Sequence, residues 1–354
     1  MKVQITEGTL VLDDLKYIHE KDAQDSLGIA AKQPGQLLHD FDISAWAPKG
    51  PFANVVYAGM GGSSLAALLS QTWPGYKVPF EISRDYDIPA FVSKDTLFIA
   101  CSYSGNTEET LSALEQAEKA KATIVIIAGG GKLKEIATEK GYHFILLPKA
   151  EQPRYAVLYN LKAMLQLMSH AGLFVTDVSD KELKAIVDFL EKKTADLLPT
   201  VPTKQNPAKL LAQEIAGKSL VVYGGPVLAP AVYKWKIGCN ENAKNVAWAG
   251  YLPEFNHNEF IGWSSHPHNK PYTVVDLRSS FDHPQIQKRF TISARLLSGK
   301  RPEPHIVEAR GKTLAEQLLW TVLMGDFTTL YLGLLNGVNP APVELVERLK
   351  KELG

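Results

Sequence analysis

The sequence predicts an α/β protein of two similar lobes, each a three-layer αβα arrangement around a parallel sheet, with helices closing the C-terminus. Three observations carry this. Short β-branched runs alternate with helical patterns of roughly 10–15 residues, which implies βαβ crossovers and a sheet covered on both faces. A layout of strand, glycine turn and helix occurs twice, once from residue 54 and again from residue 219. The length of 354 residues also suits two domains of roughly 150 residues, each able to bury its own core.

The elements follow in order. Residues 54–58 read as a buried strand, followed by a glycine loop and a helix from about Ser64 to Trp73. Strands are expected at 78–83 and 96–101, a helix at 107–120, a strand at 122–128 and a helix at 132–140. A strand at 144–148 precedes a long helix over 154–171. Residues 177–219 are polar and helical, broken by Pro199, Pro202 and Pro207, as a bridge between domains would be. The second lobe then runs strand 219–223, the turn Gly224-Gly225-Pro226, a helix from Val227, strand 272–277, helix 284–297 and strand 306–308. Helices over 313–336 and 343–353 end the chain. The expected division is 1–175 for the first lobe, 176–212 for the bridge and 213–354 for the second lobe.

Composition excludes several classes. Lys+Arg and Asp+Glu each number 38, so no basic excess is present to hold a nucleic-acid backbone. With 45% apolar and 21% charged residues, disorder is not the expected state. Cys101 and Cys239 sit apart in apolar segments, a pattern of unpaired cytosolic thiols, and a cytoplasmic location is expected. Glu7, Asp13 and Asp14 interrupt the apolar stretch a signal peptide needs. The most apolar long segment, 314–338, contains Glu316 and Asp326 and is expected to be a core helix, not a membrane span.

Two loops carry chemistry. Gly59-Met60-Gly61-Gly62-Ser63-Ser64 follows a strand and opens a helix, where glycines admit a ligand to the backbone and helix-start amides attract an anion. Alone it also fits a ligandless turn or a dinucleotide loop. Ser102-Tyr103-Ser104-Gly105-Asn106-Thr107 lies at the end of another strand and opens another helix. One hydroxyl there suffices for a cap; three hydroxyls around a glycine point to an oxyanion, with phosphate the expected one.

These loops together resemble the sugar isomerase (SIS) domain, whose loops hold the phosphate of a phosphosugar. The resemblance implies phosphate contacts from Gly62, Ser63, Ser102, Ser104 and Thr107. Further landmarks run through the rest of the chain: Gln152-Pro153-Arg154, Asn240-Glu241-Asn242-Ala243-Lys244, Leu252-Pro253-Glu254-Phe255-Asn256-His257, Gln287-Lys288-Arg289-Phe290, Gly325-Asp326, Gly337-Val338-Asn339-Pro340 and Leu349-Lys350. Taken in order, they resemble the bifunctional phosphoglucose/phosphomannose isomerase family.

That family interconverts an aldose phosphate and its ketose through an enediol(ate), which needs a base, ring-opening acid–base groups and positive charge beside the oxyanion. The resemblance assigns Glu241 as base, His257 to ring opening with help from Lys350, and Arg154 to the enediolate. It implies no metal or other cofactor, and a homodimer in which His257 serves the neighbouring subunit's site. On residue pattern alone Glu241 is either a pocket group or a solvated glutamate, Lys350 belongs to a solvated helical face with i,i+4 pairing and Lys351 is its alternative, and Arg154 could be a plain helix-start arginine. His257 stands out because Asn256, Asn258 and Glu259 offer polar partners to fix its tautomer. His266-Pro267-His268 could be metal ligands, but a solvated loop is the expectation. The chain departs from the family's pattern at Ser64-Leu65-Ala66-Ala67 and at Ala341, and the latter bears on selectivity between glucose and mannose epimers. A non-catalytic phosphosugar sensor would use the same loops and leave Glu241 and His257 idle. A nicotinamide-dependent dehydrogenase would leave the Ser102 loop without purpose.

Overall fold

The computed structural model describes residues 11–353 except Lys49, Glu151 and His266. It divides into two compact units, one of residues 32–188 and one of residues 1–31 with 189–354. Within the described residues, α1 (Leu15–Lys21) and α2 (Ser26–Lys32) precede the first strand. Residues 11–31 group with the second half of the sequence, not with the first lobe as the 1–175 division has it. The cause is long-range bonding: the Asp13 carboxylate accepts from the Thr203 amide and hydroxyl, at 2.8 Å each, and from the Lys209 ammonium at 3.1 Å. The Tyr17 hydroxyl donates to the Leu334 carbonyl at 2.7 Å.

The unit of residues 32–188 is the first αβα lobe. Its elements are β1 (Asn54–Ala58), α3 (Gly61–Thr72), β2 (Phe80–Ser83), β3 (Thr96–Ser102), α4 (Glu108–Lys119), β4 (Thr123–Ala128), α5 (Gly131–Lys140), β5 (His143–Leu146) and α6 (Val157–His170). All strand pairs are parallel, in the order β2-β1-β3-β4-β5. Alternation along each strand sends Val56, Phe98 and Ile126 to one face, where they bury against Ala113 and Leu114 of α4 and Leu133 of α5. Tyr57 and Cys101 point to the opposite face, where the Asn160 amide of α6 reaches both.

The remaining helix ranges are α7 (Asp180–Thr194), α8 (Pro207–Ile215), α9 (Ala229–Ala243), α10 (Glu259–Gly262), α11 (Pro284–Leu296), α12 (Leu314–Leu335) and α13 (Glu344–Leu353). Helix α7 runs across residue 188, where the two units divide; α8 to α13, with β6 (Ser219–Gly224), β7 (Ala247–Tyr251), β8 (Tyr272–Arg278) and β9 (His305–Glu308), complete the second lobe, whose parallel sheet runs β7-β6-β8-β9. Helix α8 lies inside the stretch expected to be a bridge, yet it buries Leu211, Ala212 and Ile215 and packs on α12 as part of the core. Strand β7 was not expected from the sequence: Trp248 and Tyr251 are exposed on this sheet edge, so the apolar alternation is weak.

Helix α12 is long and apolar enough to cross a membrane by length and composition, and 94% of its most apolar window is buried inside the protein. A capping box of Thr313 and Glu316 fixes its start. It therefore forms as the core helix that its internal acidic residues predict.

Candidate active site

In the first lobe, strand order reverses between β1 and β3, the place where open parallel sheets bind ligands beyond their carboxyl ends. Parallel register pairs Ala58 with Ala100, so the Gly59 and Ser102 loops leave the sheet side by side. The structure brings the predicted hydroxyls together. Ser102 Oγ lies 2.7 Å from Thr107 Oγ1 and 3.3 Å from Ser104 Oγ, and Ser63 Oγ accepts from the Tyr103 amide at 3.2 Å. Ser102 is buried, Ser63 and Thr107 are half-buried, and Ser104 is exposed, which grades the group from wall to mouth.

These hydroxyls are not spent on capping. Thr107 occupies the N-cap of α4 but makes no side-chain cap bond, and Met60, the N-cap of α3, has no hydroxyl to offer. Two helix starts thus face the hydroxyl cluster with their amide ends, an arrangement that favours a tetrahedral oxyanion. Gly105 holds the loop at φ +72°, and a Cβ there would overlap the Gly130 carbonyl, so only glycine closes this turn.

Arg154 belongs to the same neighbourhood. It lies in the 3₁₀ turn Pro153–Tyr155, only 1% exposed, and the backbone of this turn abuts Gly62, whose added Cβ would stand 3.3 Å from the Arg154 nitrogen. Its guanidinium stacks 4.8 Å from the Tyr155 ring. Arg154 thus precedes α6, which begins at Val157, and a buried guanidinium exerts a stronger field than a solvated one.

Sequence reasoning missed the support behind these loops. Tyr57 donates to the Ser63 carbonyl at 2.7 Å, and the Asn160 amide donates to the same carbonyl at 3.1 Å and to Cys101 Sγ at 3.3 Å. Burial pushes the Cys101 thiol up to about 11, so it serves as a neutral packing group. A lone asparagine in the apolar run Val157–Leu161 was the available signal. The Tyr103 hydroxyl donates to the Pro148 and Ala150 carbonyls and accepts from the Ala150 amide, which pins the segment ahead of Gln152.

The other predicted residues lie in the second unit. Glu241 is half-buried in the last turn of α9, and it lines a cleft of about 690 Å³ with Asn240, Lys244, Asn339, Leu345 and Val346. His257 and Lys350 do not line that cleft. His257 ends the 3₁₀ turn Glu254–His257 and is exposed; Lys350 and Lys351 are exposed on α13. The polar partners expected to fix the His257 tautomer are engaged elsewhere. Asn256 bonds Ser293 and Arg289, Asn258 bonds Glu254 and caps α10, and Glu259 accepts from Tyr223. Sequence adjacency placed them near His257, but each side chain is engaged with another partner. His266 lies outside the described residues, and among those described no three His, Cys, Asp or Glu side chains gather as a metal site.

Residues 53–173 match the SIS domain family, and residues 204–353 match the family described as bacterial phospho-glucose isomerase C-terminal SIS domain. A bifunctional phosphoglucose/phosphomannose isomerase of Aquifex aeolicus is 32% identical over 306 residues, covering 86% of this chain and 91% of that one. The chain belongs to the bifunctional phosphoglucose/phosphomannose isomerase family. The Caldicellulosiruptor bescii member of this family is 34% identical over 305 residues, with 84% and 89% covered. A D-glucosamine-6-phosphate 4-epimerase of Sulfolobus acidocaldarius is 32% identical over a shorter 222 residues, 62% of this chain and 67% of that one. Among solved structures, a glucose-6-phosphate isomerase-like protein from Thermus thermophilus shares the fold with a TM-score of 0.64 at 20% identity, over 96% of this chain and 98% of that one.

Proposed function

We propose that this protein interconverts glucose 6-phosphate and fructose 6-phosphate, with mannose 6-phosphate as the epimeric aldose, by proton transfer through an enediol(ate). One observation carries the proposal: the four hydroxyls of Ser63, Ser102, Ser104 and Thr107 converge beside two helix starts without capping either. Family membership supports the reaction itself. Gly62, in the same loop, lets the backbone approach the phosphate.

Each further residue has a role on this reading. The Glu241 carboxylate takes the proton from C2 of the open-chain aldose and returns it to C1. The Arg154 guanidinium balances the charge that develops on the enediolate oxygens. His257 serves ring opening, with Lys350 or Lys351 assisting, and the exposure of His257 fits service to the site of a second copy in a homodimer. Transfer between adjacent carbons needs only acid–base groups and positive charge. A cytoplasmic location follows from its phosphorylated substrates.

The test is a coupled assay in which fructose 6-phosphate is supplied and glucose 6-phosphate is detected, with mannose 6-phosphate and glucosamine 6-phosphate run alongside. Glu241→Gln is expected to lower turnover by about 10³-fold while KM stays within about threefold. A variant with near-normal turnover removes Glu241 from the mechanism. Conversion of glucosamine 6-phosphate alone would instead move the protein to epimerase chemistry.

A further inference from the structure

The C-terminal end of α9 is fastened by a side chain to which no role has been given. Lys244 follows the last helical residue and adopts the left-handed conformation, φ +50° and ψ 37°, where glycine is the usual occupant. A lysine there accepts a backbone cost that glycine would avoid, so the side chain itself is the informative part. Its ammonium donates to three carbonyls: Glu241 at 2.8 Å, Asn339 at 2.8 Å and Pro340 at 3.0 Å. An ammonium group has three N–H donors, and three backbone carbonyls lie within reach of this one.

The acceptors are informative too. Glu241 bears the carboxylate, and Asn339 and Pro340 form the turn that leads into α13. Glu241, Lys244, Asn339 and the start of α13 all line the same cleft. Other bonds hold the helix end from its far side: the Asn336 amide donates to the Ala243 carbonyl at 2.9 Å, and the Asn242 amide to Thr329 of α12 at 3.0 Å. Those bonds anchor α9 to the core, whereas Lys244 ties the carbonyl of Glu241 to the Asn339–Pro340 turn beside the cleft. A cation at a helix C-terminus also offsets the dipole that an acidic residue in the last turn meets unfavourably.

We propose that Lys244 is a positioning residue for the isomerisation: by joining Glu241 to the Asn339–Pro340 turn, it fixes the aim of the carboxylate within the cleft. The proposal rests on the reading of Glu241 as the base. Lys244→Met removes the three bonds with little change in bulk, and Lys244→Arg restores a cation with several donors.

The experiment measures kcat and KM for fructose 6-phosphate, melting temperature, and the inhibition constant of sorbitol 6-phosphate, which has no carbonyl to isomerise. Lys244→Met is expected to lower kcat by about 10- to 100-fold with KM and the inhibition constant within about threefold, and Lys244→Arg to recover at least about tenfold of the loss. An unchanged kcat in Lys244→Met, with Glu241→Gln inactive, overturns the positioning role and leaves the base assignment standing. Equal losses in kcat, binding and melting temperature overturn it in favour of a general structural role. An active Glu241→Gln enzyme overturns both. Should the methionine variant not fold, Lys244→Gln, which keeps one donor nitrogen, is judged by the same measurements.

Discussion

The two lobes share a scaffold and treat its binding end in opposite ways. In each, a glycine loop follows the strand at the switch point, and a serine-bearing loop follows its neighbour: Gly59–Ser63 with Ser102–Thr107 in one, Gly224–Pro226 with Ser279–Asp282 in the other. In the first lobe Ser102 Oγ bonds the hydroxyls of Ser104 and Thr107, and Ser63, Ser102 and Ser104 also accept from the amides of Tyr103, Gly105 and Asn106. In the second, the Gln317 side chain accepts from the Ser279 hydroxyl at 2.7 Å and donates to the Ser280 hydroxyl at 2.8 Å. The place of an anion is taken by Asp282, 3% exposed, whose carboxylate accepts from the Val227 amide at 3.2 Å and rests against Gly225. The lesson is that strand order and glycine loops create a place for an anion, and the loop's own hydrogen bonding decides whether a ligand can have it. The second lobe carries its anion within the chain.

The sharpest way to break this contrast is to mutate matched positions. Replacing Ser102 and Thr107 together by alanine should raise KM for fructose 6-phosphate by about 100-fold or more, since each hydrogen bond to a charged group contributes about 1.5–3 kcal/mol. The matched pair Ser279→Ala and Ser280→Ala should shift KM by less than about threefold. Similar KM values for the two double variants would end the claim that only the first lobe binds phosphate.

A smaller contrast concerns the glycines. Gly105→Ala meets positive φ and a backbone carbonyl, neither of which can yield, and should cost about 3 kcal/mol, or about 6–12 °C in melting temperature. Gly225→Ala, at φ −77°, meets only the Asp282 side chain and should cost about 1 kcal/mol. Thermal melts of the two variants decide the ranking.

The smallest effect is a pH dependence. Burial raises the Asp282 carboxyl above the ordinary carboxylate value, against the opposing pull of the Val227 and Ser279 amides. Its folded form therefore favours the proton, so its contribution to stability is greatest below the unfolded value and falls as pH rises through the raised one. Asp282→Asn should melt about 2–4 °C higher than the parent at pH 7.5, with the gain fading as the medium is acidified toward the unfolded carboxylate range. A gain that grows on acidification would contradict this account.

Much of this was legible in the sequence because local chemistry settled it. Buried parallel strands are continuous apolar runs, and the Ser102 loop concentrates hydroxyls where a strand meets a helix. Strand β7 escaped because an edge strand with exposed Trp248 and Tyr251 has no buried face to write into its pattern. The placement of Asp13 depends on Thr203 and Lys209, nearly 200 residues away, and no local signal encodes that. For the same reason no local pattern marks Asp282, which packs against Gly225 in another loop. The surroundings of His257 were misjudged because Asn256 and Glu259 find distant partners in Ser293, Arg289 and Tyr223, and Asn258 bonds Glu254.

Thr107 has one more consequence. A helix that starts without a side-chain cap leaves its first amides for the phosphate proposed above, and on that reading binding and local ordering share one free energy. Substrate occupancy then adds to resistance against unfolding and proteolysis in proportion to RT ln(1 + [L]/Kd). A pool of sugar phosphate in the cell would in this way help set how long each copy of the enzyme survives, linking its abundance to the supply of the metabolite it converts.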